Sequence, residues 1–448
     1  MDTEKLKNKK ITVLGAARSG IGVAKLLHRS GADVFVSDLS EAEKKQSEIN
    51  ELKNAGIPFE FGRHSERAKN AEMIVLSPGI PVRSDLVQSF ISNGIPVYSE
   101  IEVASWFCKS KFIAVTGSNG KTTTTTLIGE MLKKKYPDAI VAGNIGTAFS
   151  EYVAQSSPQS WAVIEVSSFQ LETINSFHPN QAVVLNFAPN HLNRYDGYED
   201  YLKAKWRITK NLQKNDVLIY NAADEKLSEW ANQIQCNKQG FHINGDQIDG
   251  AFYSDGSIFI NHNQFIESAE ISLKGKHNYM NAMAAILAAQ NAGVNHAQIK
   301  EVLKTFTGVE HRLELVAVKN GIRYVNDSKA TTVESLSFAL QSFDEPIILI
   351  AGGQDKGSDF TKLNDLINKH TKVLVLIGTA ADKMEAAWKG LKPIYKEKTL
   401  EEAVNCARSI AENNNVVLLS PACASFDMFK DFEDRGRQFK QLVTNLQD

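Results

Sequence analysis

The stretch Lys111-Phe-Ile-Ala-Val-Thr-Gly-Ser-Asn-Gly-Lys-Thr-Thr-Thr124 constrains this chain more than any other, because an apolar run stops in a Gly/Ser/Asn turn that ends in Gly120-Lys121-Thr122. Such a run reads as a strand that enters a helix through a turn able to hold an anion. Gly117 and Gly120 let the backbone aim N–H groups at a phosphate, Lys121 adds a point charge, and Thr122 offers Mg²⁺ a hydroxyl at the helix start. The ligand this points to is a nucleoside triphosphate. The full phosphate-loop pattern carries another glycine five residues before Gly120, where this chain has Val115. The loop is therefore a shortened form, Thr-Gly-x-x-Gly-Lys-Thr. An ordinary strand-to-helix turn is the alternative, and the order strand, loop, Gly-Lys-Thr, helix argues against it.

A chain of 448 residues is too long for one ordinary core, and at roughly 150 residues per domain it should form about three. A net charge of -2 leaves no electrostatic footprint for nucleic acid or an anionic membrane, so any anion must be bound locally. Cys108, Cys236, Cys406 and Cys423 lie far apart without a CxxC pair, which argues against a zinc site or disulfide framework and fits a reducing compartment. Met1 to Lys7 has no apolar signal-like region, and no stretch approaches the roughly 18 apolar residues of a membrane span. A cytoplasmic protein is expected, with no nucleic-acid partner and no membrane insertion.

The chain opens with a βαβ pattern. Lys10 to Leu14 is a short β-branched run ending in Gly15-Ala-Ala-Arg-Ser-Gly20, then come the helical pattern Ile21 to His28 and a strand over Asp33 to Ser37, closed by Asp38. Ala17 replaces the middle glycine of the dinucleotide fingerprint, so a Rossmann-like unit that binds nothing stays open beside a nucleotide with phosphates near Gly15 to Gly20 and its sugar or base near Asp38. Met73 to Leu76 and Val97 to Glu100 read as further strands, closing a first domain near residue 100.

From Lys111 a second α/β pattern begins. Asn144 lies in a glycine turn, as a turn residue or a ligand contact. Glu165 interrupts the otherwise apolar strand starting at Trp161; carboxylates are rarely buried unless paired or metal-bound, which leaves a structural ion pair or a Mg²⁺ ligand facing the phosphate loop. His191 follows the strand Ala182 to Asn186, as a surface histidine or a ligand. Lys205, in a helical pattern from Tyr201 to Ile208, looks like any solvated lysine. Asn278 and Asn281 share a face at the start of an Ala-rich helix, where Asn278 is a helix cap or the pair reads an adenine edge. Gly308 to Glu314 reads as a hinge into a third α/β domain, with Arg312 placed for a phosphate contact or a surface salt bridge. Repeated strand, polar turn and helix predict mostly parallel, doubly wound sheets.

Several motifs, in this order, resemble one family, the Mur ligases, ATP-dependent amide-bond formers of peptidoglycan synthesis. They are Gly117-Ser-Asn-Gly-Lys-Thr-Thr123, Glu165-Val-Ser-Ser-Phe-Gln-Leu171, Asn190-His-Leu-Asn-Arg-Tyr195, His277-Asn-Tyr-Met-Asn281, Glu310-His-Arg312, Asn326-Asp-Ser-Lys-Ala-Thr331 and Ser420-Pro-Ala-Cys-Ala-Ser-Phe-Asp427. The resemblance covers essentially the whole chain, is greatest to the D-glutamate-adding branch, and makes the missing glycine at Val115 a family feature. It implies three α/β domains: a Rossmann-like UDP-substrate domain over 1–100, a P-loop ATPase-like domain over 101–307, and a Rossmann-like amino-acid domain over 308–448.

The resemblance also implies roles. ATP would be held by Gly117, Ser118, Asn119, Gly120, Lys121, Thr122 and Thr123, with Asn278 and Asn281 on the adenine side, Arg312 on the phosphates and Asp327 on the ribose. Lys121, Glu165, His191 and Lys205 would be catalytic. Two Mg²⁺ ions would take ligands from Thr122, Glu165, His191 and Lys205, the last as a CO₂-derived carbamate. UDP-N-acetylmuramoyl-L-alanine would meet Gly15, Arg18, Ser19, Asp38 and Asn144, while Thr331, Lys356, Ser425 and the backbone near Phe432 would receive D-glutamate. A monomer whose C-terminal domain closes on binding is expected. Asn190 and Asn193 stand where many relatives carry aspartates. The alternatives are another Mur ligase, a folylpolyglutamate synthetase-like amide ligase, or a nucleotide sensor without catalysis; the last has no evident use for Glu165, His191 and Lys205 together.

Overall fold

The computed structural model describes residues 3–188, 194–243, 249–355 and 357–446. It forms two compact units, Met1–Phe306 and Thr307–Asp448. Three sheets organise them.

The first sheet contains β1 (Lys10–Leu14), β2 (Asp33–Asp38), β3 (Phe59–Phe61), β4 (Met73–Leu76) and β5 (Val97–Ser99), all parallel, in the order β3-β2-β1-β4-β5. Parallel strands covered on both faces read as unbroken apolar runs, which is why Ile11 to Leu14 and Met73 to Leu76 are buried throughout. Glu100, expected at the end of β5, instead starts the helix Glu100–Phe107. That helix carries the chain into the next sheet, and Ile101 and Ala104 share a core with Leu26 and Phe149.

The second sheet, in the same unit, contains β6 (Lys111–Thr116), β7 (Ile140–Gly143), β8 (Trp161–Glu165), β9 (Gln181–Val184), β10 (Val217–Asn221), β11 (Asn237–His242), β12 (Gly250–Ser254), β13 (Ser257–Ile260) and β14 (Asn263–Glu267). Its order is β14-β13-β12-β11-β10-β9-β6-β8-β7, antiparallel only across β12, β13 and β14. The chain leaves β6 for β7 and β8 on one side and β9 on the other. The carboxyl end of β6 is therefore a topological switch point, where open α/β sheets bind ligands.

The second unit holds β15 (Glu314–Lys319), β16 (Ile322–Asn326), β17 (Ile347–Gly352), β18 (Thr371–Ile377), β19 (Ile394–Lys396) and β20 (Val416–Leu419), ordered β15-β16-β20-β17-β18-β19. Only β15 runs antiparallel, at the edge. The doubly wound architecture expected from the repeating pattern is present in all three sheets. Among the described residues no helix is long and apolar enough to cross a membrane.

Candidate functional site

The turn after β6 is pressed against the segment after β9. A Cβ on Gly117, at φ +151°, would lie 2.9 Å from Leu185 Cβ, and one on Gly120, at φ +80°, would lie 2.3 Å from Asn281 Oδ1. The left-handed conformation at Gly120 lets the helix Lys121–Lys133 start at once, with its first N–H groups at the turn. Asn281 thus abuts the loop from the helix Lys276–Asn291, and its amide reaches Asn278 Oδ1 at 3.5 Å. Asn278 lies inside that helix, whose cap is Gly275, so it does not serve as the cap.

Around the turn, two ammonium groups converge on one carbonyl. Lys121 Nζ donates to Gly117 O at 3.0 Å and to Ser118 O at 3.1 Å, while Lys205 Nζ donates to Gly117 O at 2.8 Å. Lys205, which reads as a surface residue in sequence, is 2% exposed and lies over the Tyr201 ring. Burial holds its ammonium well below the usual lysine range; the charge of Lys121 adds to this and Glu165 opposes it. The neutral amine is the form that reacts as a nucleophile.

Glu165 closes β8, 2% exposed. Among the described residues it is held by hydrogen bonds and not by an ion pair: Oε2 accepts from Thr122 Oγ1 at 2.7 Å and Oε1 from Asn144 Nδ2 at 2.8 Å. The Thr122 hydroxyl, the buried Glu165 carboxylate and the Asn144 amide therefore form one chain across three strand ends. Thr123 is partly buried behind Thr122 in the same helix turn.

On the first sheet, Asp38 Oδ2 accepts from Ala16 N at 2.6 Å and Oδ1 from Ser40 N at 2.7 Å. Burial pushes this carboxyl up, but those hydrogen bonds outweigh it and hold it below the ordinary aspartate range. Gly15 leads into the turn at φ +93°. Ser19 lies in the first turn of the helix Arg18–Arg29. Arg18 donates to Gly146 O, so the glycine turn that carries Asn144 is tied to the first sheet's helix.

In the second unit, Asp327 follows β16 and is buried, bonded to Ser420 Oγ at 2.8 Å and Leu313 N at 3.2 Å. Burial raises its carboxyl to about 7, although these bonds and the charge of Arg312 work the other way. Thr331 follows in the same loop, Ser425 is buried after β20, and Phe432 opens the helix Phe432–Asn445 with its carbonyl accepting from Ser328 Oγ at 2.8 Å. His191 and Lys356 lie outside the described residues.

Family models match along the chain: a Mur ligase MurD-like N-terminal domain over residues 9–99, a Mur ligase middle domain over 115–289 and a Mur ligase glutamate ligase domain over 311–423. A relative from Salinibacter ruber named UDP-N-acetylmuramoylalanine--D-glutamate ligase is 41% identical, covering 100% of both chains. One of the same name from Chloroherpeton thalassium is 42% identical, again over 100% of each. The chain belongs to the Mur ligase family. Among solved structures, the UDP-N-acetylmuramate-alanine ligase MurC from Thermotoga maritima superposes with a TM-score of 0.59 at 22% identity, covering 97% of this chain and 99% of its own. The MurF ligase of the same organism, in complex with ADP, gives 0.56 at 17% identity over 85% of this chain and 92% of its own. At these identities the likeness is one of fold. As a Mur ligase the chain is an ATP-dependent ligase.

Three residues that sequence reasoning passed over matter to this Mur ligase. Tyr201 bridges to Ser118 Oγ at 3.0 Å, its hydroxyl pushed by burial up to about 12, against the pull of the Ser118 bond. Asn186 pairs with Asn119 from the end of β9. Arg435, 0% exposed, donates through Nε to Ser328 Oγ at 2.9 Å, through Nη2 to Ser328 O at 2.8 Å and to Cys423 O at 3.3 Å. It ties together the loops bearing Thr331 and Ser425, and burial lowers it to about 10. The only sequence signal for Asn186 was its place directly after a parallel strand; an arginine in an amphipathic helix gave none.

Proposed function

We propose that this Mur ligase joins D-glutamate to UDP-N-acetylmuramoyl-L-alanine. The L-alanine carboxylate attacks the ATP γ-phosphorus and ADP leaves, giving an acyl phosphate. The D-glutamate amine then adds to the carbonyl, and the tetrahedral intermediate expels phosphate to leave an amide. Both steps gather negative charge that preorganised cations and N–H groups stabilise. The observation that carries the reading is the hydrogen-bonded set Asn144, Glu165 and Thr122 beside Lys121 and Lys205 at the head of one helix. The choice of acceptor is supported by the shared name of full-length relatives at 41–42% identity.

In this reading Gly117 to Thr123 form the triphosphate cradle, with Lys121 on the β- and γ-phosphates. Asn278 and Asn281 face the adenine, Arg312 the phosphates and Asp327 the ribose. A hydroxyl and a carboxylate are hard oxygen donors and suit Mg²⁺, so Thr122 and Glu165 would hold one ion, with His191 and a modified Lys205 completing a second site. When bound, Mg²⁺ supplies Lewis-acid stabilisation of the phosphoryl oxygens. A free amine is a poor partner for that ion, whereas CO₂ capture by neutral Lys205 would give it a carboxylate-like head. Gly15, Arg18, Ser19, Asp38 and Asn144 would receive the UDP-sugar substrate, and Thr331, Lys356, Ser425 and the Phe432 backbone the D-glutamate carboxylates. The domain limits 1–100, 101–307 and 308–448, a monomeric state and a cytoplasmic location belong to the same proposal.

Phosphate release from ATP, followed with UDP-N-acetylmuramoyl-L-alanine and D-glutamate, tests it. Release should require both co-substrates. Release independent of D-glutamate, or equal rates with L-glutamate, would sink the assignment.

A further inference from the structure

We infer that Asn186 is a positioning residue of the phosphate loop: it fixes the peptide planes that determine which loop N–H groups can face an anion. The inference rests on the reading of Gly117 to Thr123 as the nucleotide site.

The β6–β9 ladder does not stop where the strands end. Leu185 N donates to Thr116 O and Ser118 N donates to Asn186 O, each at 3.0 Å. There the side chain of Asn186 takes over from its backbone. Its Oδ1 accepts from Asn119 N at 2.9 Å, and its Nδ2 donates to Asn119 O at 3.1 Å. One carboxamide therefore satisfies both backbone groups of one loop residue, as a neighbouring strand would. The orientation of the amide is set by this pairing, because a flip would oppose two donors and two acceptors.

A trans peptide points its C=O and the following N–H in opposite directions, and no cis bond occurs here. Asn119 O is drawn toward Asn186, so the N–H of Gly120 faces away from β9, on the open side of the loop. The same logic applies one step earlier. Ser118 N is directed at Asn186 O, so Gly117 O faces the opposite way, where Lys121 and Lys205 bind it. Asn186 thus sorts the turn into two parts. The amides of Ser118 and Asn119 are committed to the β9 side, while Gly120 and the first helical residues present the N–H groups left for phosphate. The two backbone groups of Asn119 are not held by any regular ladder, so without Asn186 the turn could rotate that peptide at little cost.

Two substitutions separate this role from simple packing. Asn186→Asp is nearly isosteric but replaces the Nδ2 donor with an oxygen that repels Asn119 O. Asn186→Ala leaves room for water to bond both groups. A residue that only fills space would suffer more from alanine; a residue that sets peptide orientation suffers more from aspartate. The expected result is that ADP affinity and the KM for ATP worsen in Asn186→Asp by about tenfold or more, the scale of losing one hydrogen bond and gaining a repulsion. Asn186→Ala should lose less, and KM for D-glutamate and for the UDP-sugar should stay within about twofold in both. ADP affinities of both variants within twofold of the parent would overturn the inference, as would an alanine variant more impaired than the aspartate one. Lys121→Ala, measured alongside, distinguishes the premises: if it too binds ADP as the parent does, the loop is not the nucleotide site. If it loses ADP while both Asn186 variants keep it, the loop reading stands and the positioning role falls.

Discussion

The turns Gly15–Gly20 and Gly117–Lys121 follow β1, the middle strand of the all-parallel first sheet, and β6, within the parallel part of the second, yet differ in what surrounds them. In the first, Asp38 takes the Ala16 N–H and Arg18 turns away to Gly146 O. Close approach leaves no room for side chains at its ends: a Cβ on Gly20 would lie 1.9 Å from Gly15 O and one on Gly15 2.8 Å from Ser77 Cβ. In the second, two lysines converge on Gly117 O, and a buried glutamate from β8 grips Thr122. The strand-turn-helix unit supplies amides in both cases. Whether a phosphate is merely held or also transferred depends on the side chains that neighbouring strands and helices bring to the turn.

The largest effect should come from removing the buried amine of the second turn. Lys205→Ala is expected to lower phosphate release by about 100-fold or more, the scale for a preorganised charge in a dry site. Short-chain carboxylic acids should restore part of the activity by occupying the place of a carbamate. Full activity in Lys205→Ala, or a loss that no carboxylic acid relieves, would remove the contrast drawn between the two turns on this side.

Asp38→Ala probes the other turn and should act on a different substrate. KM for the UDP-sugar is expected to rise by about tenfold, with KM for ATP unchanged, the cost of one charge-assisted contact and a released Ala16 amide. Because hydrogen bonds keep Asp38 below the ordinary aspartate range despite its burial, it stays ionised above pH 5, and the parent KM should be flat there. Steady-state kinetics with each substrate varied in turn would decide. A change confined to the ATP KM would mean that the first turn does not hold the UDP-sugar.

The smallest effect lies at the joint between the two sheets. Glu100 is 1% exposed and accepts from Ser150 N at 2.7 Å, and among the described residues its other oxygen has no hydrogen-bond partner. Burial raises its carboxyl to about 7, well above the ordinary glutamate value, while the Ser150 bonds pull it down. A carboxyl whose folded value is raised contributes stability that is complete below its unfolded value, near 4.5, and is lost as pH rises through 7. Glu100→Gln keeps the neutral form, so parent and variant should melt alike at pH 5 and the variant a few degrees higher at pH 8. Identical melting at both pH values would show that Glu100 ionises freely at the joint.

Much of the architecture was legible because it is local. β-Branched runs broken by glycine turns announced strands in each of the three sheets, and Gly120, Lys121 and Thr122 sit together in space because they sit together in sequence. Short elements were harder: β3 spans only Phe59–Phe61, too brief for a pattern, and Glu100 reads as strand because a helix start has no apolar period yet. Glu165 was visible as a charge inside an apolar strand. Lys205 was not, because the helix Tyr198–Trp206 has alternating lysines and only packing distinguishes the buried one.

The sequence by itself determined the order of strand-turn-helix units, the shortened phosphate loop and membership of the Mur ligases, all properties of neighbours along the chain or of motifs in succession. Tertiary structure alone decided that Glu165 meets a hydroxyl 43 residues away, that Lys205 reaches a carbonyl 88 residues away, and that Asn186 holds the loop from across 67. The physical reason is that residue type fixes what a group can donate or accept, while its protonation and its partner depend on burial, which exists only once distant strands have packed.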